Sequence, residues 1–188
     1  MRNQTTRTLL AAIQAIIGWE WLMSGVNKVL SGTFPQGLSD FLNAGAKDNP
    51  NTWYVALLHH YVMPNCVICG YIVEWTEVVI AAIMLIGAAI LLLQPRIPKR
   101  TQQRFALPYG IAIATSLLIG AFLTVNFHFS MGGWIFPTFN GSSAYGEGVD
   151  LDALLPPISL VLLIANVFLV KELTGKAKKD EKSEMAVA

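Results

Sequence analysis

The sequence predicts an all-α integral membrane protein: a four-helix bundle with an amphipathic helix on its outer surface and a lid loop rich in Gly, Ser and aromatic residues. Three observations predict it. Of 188 residues, 54% are hydrophobic and only 13% charged, where soluble domains carry about a quarter charged residues; mean hydropathy is +0.51. Four stretches, at about 8–30, 66–93, 105–129 and 154–173, are apolar over the roughly 20 residues needed to cross ~30 Å of hydrocarbon. The positive residues fall into alternate connections, as they do around membrane spans.

Helix one, about 8–30, follows Arg2 and Arg7. Its position suits a signal peptide, but its apolar stretch is too long, it contains Glu20, and no small-x-small cleavage site follows it, so a retained helix is expected. From Ser31 to Pro64 the chain reads GTFPQGLSDFL, a turn at Asp48-Asn49-Pro50-Asn51, then TWYVALLHHYVMP. Trp53, Leu57, Leu58 and Tyr61 recur at helical spacing, and Trp53, Tyr54 and Tyr61 are rings suited to headgroup level, so a short helix lying on the outer surface is expected. Helix two, about 66–93, leads to a connection carrying Arg96, Lys99, Arg100 and Arg104, and helix three covers about 105–129. The following segment, SMGGWIFPTFNGSSAYGEGVD, should form a lid of turns. Helix four, about 154–173, precedes Lys176, Lys178, Lys179 and Lys182. Residues 1–175 thus read as one membrane domain, and 176–188 as a disordered tail. The basic clusters place both termini on the cytoplasmic side, the expected location being a prokaryotic cytoplasmic membrane.

Within these apolar stretches stand Glu20, Glu74 and Glu77. An ionised carboxylate in hydrocarbon costs at least ~2.5–3.5 kcal/mol and marks a cavity or a partner. At ~1.5 Å rise per residue, Glu20 and Glu77 each lie roughly 16 Å from the outer boundary, with Asn166 near 18 Å and Thr115 and Ser116 near 20 Å. Glu20, Ser24, Asn27 and Lys28 share one stripe of helix one; Cys66, Gly70, Glu74 and Glu77 share one of helix two. Turned toward each other, the stripes make a polar funnel from the outer surface past Lys28 and Glu74 to Glu20 and Glu77. A structural Glu–Lys pair fixing helix register is the competing reading, and Asn166, Thr115 and Ser116 suit ordinary interhelical hydrogen bonding. Three carboxylates against Lys28 cannot all be neutralised by pairing, and a buried acid that exchanges a proton is what a quinone site or proton path requires.

Cys66-Val67-Ile68-Cys69 is a C-x-x-C at the outer end of helix two, either a redox pair or two small packing residues. With His59, His60 and His128 it shows no diagnostic metal spacing, so no metal or haem is predicted. The chain has no C-x-x-C-H, phosphate loop or nucleic-acid-type basic patch, which sets a nucleic-acid partner aside.

Helix one reads GWEWLMSGVNKVLSG, and in it Gly18, Trp21, Leu22, Gly25 and Lys28 stand in register with a G...(F/W)L..G..K signature. Glu77 followed by Gly87, with Glu74 as an added candidate, and Asn126-Phe127 followed by Gly132 continue the pattern. Over about residues 8 to 172 the chain resembles the DoxX/DoxD family of small four-helix membrane proteins. DoxD is similar to the small membrane-embedded part of thiosulfate:quinone oxidoreductase. The resemblance implies quinone as cofactor, a second protein subunit besides the lipid bilayer as partner, and transfer of electrons from thiosulfate or a related sulfur donor. Lys28 and Glu77 agree with the family pattern, Lys28 as a point charge for a quinone carbonyl or an anionic sulfur substrate; the residues themselves add Ser24, Asn27, Trp21 and Asn126 to the candidate binding set, and Glu77, Glu74 and Glu20 are the candidate catalytic proton carriers. Glu20 and the cysteine pair depart from the family pattern. Two other expectations stand beside this one: a non-catalytic scaffold or assembly subunit of a membrane complex, and a quinone-linked thiol oxidase using Cys66 and Cys69. Thiol oxidases of the vitamin K epoxide reductase type use a second cysteine pair, which this chain lacks.

Overall fold

The structure, a computed structural model, describes the backbone of residues 2–133 and 151–185 and the side chains of 4–133 and 151–175. The chain runs α1 (Arg2–Ser31), α2 (Phe34–Ala46), α3 (Thr52–Leu57), α4 (Cys66–Leu93), α5 (Lys99–Ser130) and α6 (Leu151–Met185). A π turn at Leu58–Val62 and a 3-10 turn at Met63–Asn65 join α3 to α4, and a 3-10 turn at Gln94–Arg96 follows α4. Four helical segments are long and apolar enough to cross a membrane, and no strand occurs among the described residues. Ile16, Phe122, Val161 and Phe168 are among the large apolar side chains left exposed around the bundle, a surface compatible with contact with lipid.

Two helix pairs build the bundle, α1 on α4 and α5 on α6, with α2 laid across α4. Glycine sets the first seam: a methyl group on Gly25 would lie 2.9 Å from the Val78 backbone nitrogen, and one on Gly18 would lie 3.0 Å from Leu85. Small residues let helices in a membrane approach closely and gain dispersion contacts that lipid cannot supply. Around this seam Ala11, Ile17 and Trp21 pack with Ala81, Met84 and Ala88, and Ile113, Leu117 and Leu162 close the core from α5 and α6. A buried polar chain ties all four spans, joined at its middle where Tyr109 Oη lies 3.5 Å from Gln14 Oε1. Gln14 Nε2 donates to the Met84 carbonyl at 3.1 Å, Tyr109 Oη donates to Asn166 Oδ1 at 3.1 Å, and Asn166 Nδ2 donates to the Leu162 carbonyl at 2.9 Å. Asn166 is thus interhelical glue, Ser116 is buried, and Thr115 is exposed.

A second apolar cluster caps one end of the bundle. Leu38 and Leu42 of α2, Tyr54 of α3, Leu58, Cys66 and Phe129 are buried together. Polar side chains sew this cap to the end of α5. Asn49 Nδ2 lies 3.0 Å from the Phe129 carbonyl and 3.1 Å from that of Ser130, and Asn51 Nδ2 donates to the Gly133 carbonyl at 2.7 Å. Asp48 takes the left-handed conformation (φ 61°) that turns the chain between α2 and α3, one that Asp tolerates.

Several expectations change. The outer connection holds two helices where one was expected: Phe34, Leu38, Phe41 and Leu42 follow helical spacing in α2, ahead of the expected helix around Trp53. In α3 and the π turn after it the inward residues are Tyr54 and Leu58, while Trp53, Leu57 and Tyr61 are exposed. α1 begins at Arg2 and α5 at Lys99, both before the expected apolar limits. The tail expected to be disordered continues α6 as helical backbone to Met185, consistent with the helix propensity of its Ala, Lys and Glu residues. The expected lid lies, from residue 134 onward, outside the described residues.

Candidate functional site

Lys28 sits three residues beyond Gly25, so the close approach of α1 to α4 brings its side chain onto Glu77. Lys28 Nζ lies 2.8 Å from Glu77 Oε1, 2.6 Å from Oε2 and 2.6 Å from Ser24 Oγ. An ammonium has three donor hydrogens, and these acceptors engage all of them. The rings of Phe34 and Phe127 add cation–π contacts at 5.3 and 5.6 Å, which strengthen as water is excluded. The Glu77 side chain is wholly buried and Lys28 is 20% exposed. This is a desolvated pair, whose attraction must offset the loss of hydration of both ions.

The pair forms one wall of a cavity of about 240 Å³ beneath the cap. Its other walls are Trp21 and Glu20 of α1, Phe34, Leu38 and Phe41 of α2, Thr124, Phe127 and Met131 near the end of α5, and Asp152 and Leu155 of α6. Trp21 is seated against Gly120, where a methyl group would lie 3.1 Å from its ring. Asp152 stands in the first turn of α6, where exposed backbone N–H groups favour a carboxylate. Three carboxyl groups, Glu20, Glu77 and Asp152, face this cavity against the one amino group of Lys28. The cavity therefore suits a neutral ring with hydrogen-bonding oxygens, or a cation, better than a free anion.

The structure brings Glu20, Trp21, Ser24, Lys28 and Glu77 onto this one cavity. It separates the other expected residues. Glu74 is buried on α4, off the cavity wall, and its Oε2 has no hydrogen-bond partner among the described residues. Asn27 is exposed, because helix rotation carries it past the α4 seam. Asn126 accepts the Tyr54 hydroxyl at 2.9 Å and donates to the Phe122 carbonyl at 2.6 Å, so it anchors the cap. The open funnel past Glu74 is accordingly replaced by a cavity roofed by α2. Cys66 and Cys69 are free thiols, one buried and one half-buried in the cap cluster, with Cys66 Sγ 3.8 Å from Met63 Sδ. His59 and His60 are exposed, and no group of three or more His, Cys, Asp or Glu able to hold a metal occurs among the described residues.

Sequence reasoning missed the roof and the far wall. Phe34, Leu38 and Phe41 carried a usable signal, spacings of four and three residues. Asp152 stands just before the apolar run of the fourth span, and an acid at that place is a helix-start feature. Phe127 was noted for its motif and Met131 only as part of the lid segment; neither was read as a wall. Comparison with family models, curated proteins and solved structures finds no match to this chain.

Proposed function

We propose that the chain is a DoxX/DoxD-like membrane subunit of a quinone-linked oxidoreductase, with the Lys28–Glu77 cavity receiving the quinone head. The carrying observation is the coordination of Lys28. Its donors are held by two Glu77 oxygens and Ser24 Oγ between two aromatic rings on a cavity wall. A quinone carbonyl that takes one of these donors displaces Ser24 or one Glu77 oxygen. Glu77, Glu20 and Asp152 surround that position with carboxylates able to carry a proton, and Trp21, Phe34 and Phe127 offer ring faces. Electrons come from thiosulfate or a related sulfur donor. The acidic lining argues that this anion is oxidised outside the cavity, on a partner subunit. In this reading both termini face the cytoplasm of a prokaryote.

The full chain purified in mild detergent should retain quinone on solvent extraction, and Lys28→Met and Glu77→Gln should each lower bound quinone and quinone reduction at least tenfold while helicity is kept. The second reading, a non-catalytic scaffold, is favoured by the same coordination seen differently, since every Lys28 donor is satisfied within the protein. It gains if no quinone is retained and the variants lose a co-purifying subunit instead. The third, a thiol oxidase, predicts that Cys66→Ser abolishes activity; burial of Cys66 in the cap cluster weighs against it.

A further inference from the structure

At the end of the bundle away from Lys28, two hollows meet. One, of about 160 Å³, is an apolar slot between α4, α5 and α6, walled by Ile90, Phe105, Ala106, Leu169 and Leu173. The other, of about 290 Å³, opens beside α1 and is lined by Gln4, Arg7 and Thr8. Leu91, Gln94 and Gln102 line both, so the hollows adjoin. Three polar groups define the junction. Gln94 is 4% exposed and its Oε1 is buried without a hydrogen-bond partner. Gln102 Nε2 is committed to the carbonyls of Gln94 at 2.8 Å and Ile97 at 2.7 Å, holding the turn after α4. The Arg7 guanidinium enters no ion pair among the described residues, although Glu172 lines the hollow on its other side.

A cation at the mouth, an unsatisfied amide at the neck and an apolar slot beyond it match, in order, the phosphate, the ester zone and an acyl chain. We propose that this junction is a site for one anionic phospholipid. Arg7 takes the phosphate, with two parallel donors suited to its oxygens. A 180° rotation of the Gln94 amide places Nε2 where the orphaned Oε1 lies, giving an ester carbonyl its donor. The slot between α4, α5 and α6 receives the chain, and Phe105 at 58% exposure marks its lateral mouth. Arg96, Lys99 and Arg100 stand at the same end, on the turn after α4 and the first residues of α5, and basic clusters beside membrane helices favour anionic headgroups.

The site is independent of the quinone reading, and its test uses no activity. Full chain in mild detergent is mixed with equal amounts of dioleoyl phosphatidylglycerol and dioleoyl phosphatidylcholine, and retained lipid is counted by native mass spectrometry. The anionic lipid should be retained at least fivefold over the neutral one. Arg7→Gln should bring the ratio near one. Thr101→Phe, at an exposed position on the slot, should expel both lipids with helicity unchanged. Millimolar inorganic phosphate alone should not displace the lipid. Equal retention of the two lipids, an unchanged ratio in Arg7→Gln, or displacement by phosphate each overturns the proposal, the last by showing a free-phosphate site. If Thr101→Phe fails to fold, the ratio in Arg7→Gln decides alone.

Discussion

Replacing Lys28 by Met is the most exacting perturbation of the site. Glu77 is wholly buried and takes hydrogen bonds from Lys28 on both of its oxygens, so the substitution strands a carboxylate with neither counter-ion nor donor. Breaking one side of a buried pair costs about 3–5 kcal/mol, or roughly two to three and a half decades in the unfolding constant. Changing Glu77 to Met as well removes the stranded charge, and a buried pair replaced by apolar residues of similar volume is often neutral or stabilising by about 1–4 kcal/mol. Ser24, which loses its partner in both variants, subtracts the same small amount from each. The double variant should therefore be more stable than Lys28→Met alone by at least about 3 kcal/mol. The assay is reversible unfolding of the four proteins of the cycle in mixed micelles of increasing SDS fraction, followed by helicity. A Lys28→Met variant within about 0.5 kcal/mol of the parent, or effects that simply add, would sink the reasoning, because contacting groups couple and independent ones do not.

Three further outcomes are expected. Gly25→Ala pushes a methyl group to 2.9 Å from the Val78 backbone nitrogen and should cost about 1–3 kcal/mol as overpacking, whereas Gly37→Ala in α2, with nothing within 4 Å, should stabilise by roughly 0.5–1 kcal/mol; the same SDS titration reads both. Tyr54→Phe removes the hydroxyl held by Asn126 and should cost about 0.5–1.5 kcal/mol, seen as faster hydrogen exchange in α3; unchanged exchange would show that the cap is held by its apolar cluster alone. Tyr109→Phe takes away the hydroxyl that meets Asn166, and a cost near the membrane average of about 0.6 kcal/mol is expected, with a loss above about 2 kcal/mol arguing that the Gln14–Tyr109–Asn166 chain acts as one unit.

The four spans were legible because hydrophobic length is a property of each segment by itself. Part of the site was legible too: Glu20, Ser24 and Lys28 share a helical stripe, and Gly25 among them marks where α4 comes close. Rotation about the helix axis was not legible at the same precision. Asn27 and Lys28 are neighbours in sequence, yet one is exposed and the other meets Glu77, and Glu74 lies one turn from Glu77 but off the cavity. Such differences of about 100° per residue are fixed by which face meets the partner, and that depends on residues distant in sequence. The roof illustrates the same limit. Nothing local to Phe34 or Leu38 says that α2 folds back over α4; the approach is permitted by a distant residue, Gly70, where a methyl group would meet Pro35 at 2.5 Å.

The reach of Asn49 also sets an order of events during synthesis. Its Nδ2 ties to carbonyls 80 and 81 residues later in the chain, which at ~5–20 residues/s leave the ribosome roughly 4–16 s afterwards. α1 and α4 are both complete before then, so Lys28 and Glu77 can meet while Phe127, Met131 and Asp152 have yet to be made. The ion pair is then the older half of the cavity and its enclosure the younger, and a nascent chain stalled after α4 would display the pair without the far wall.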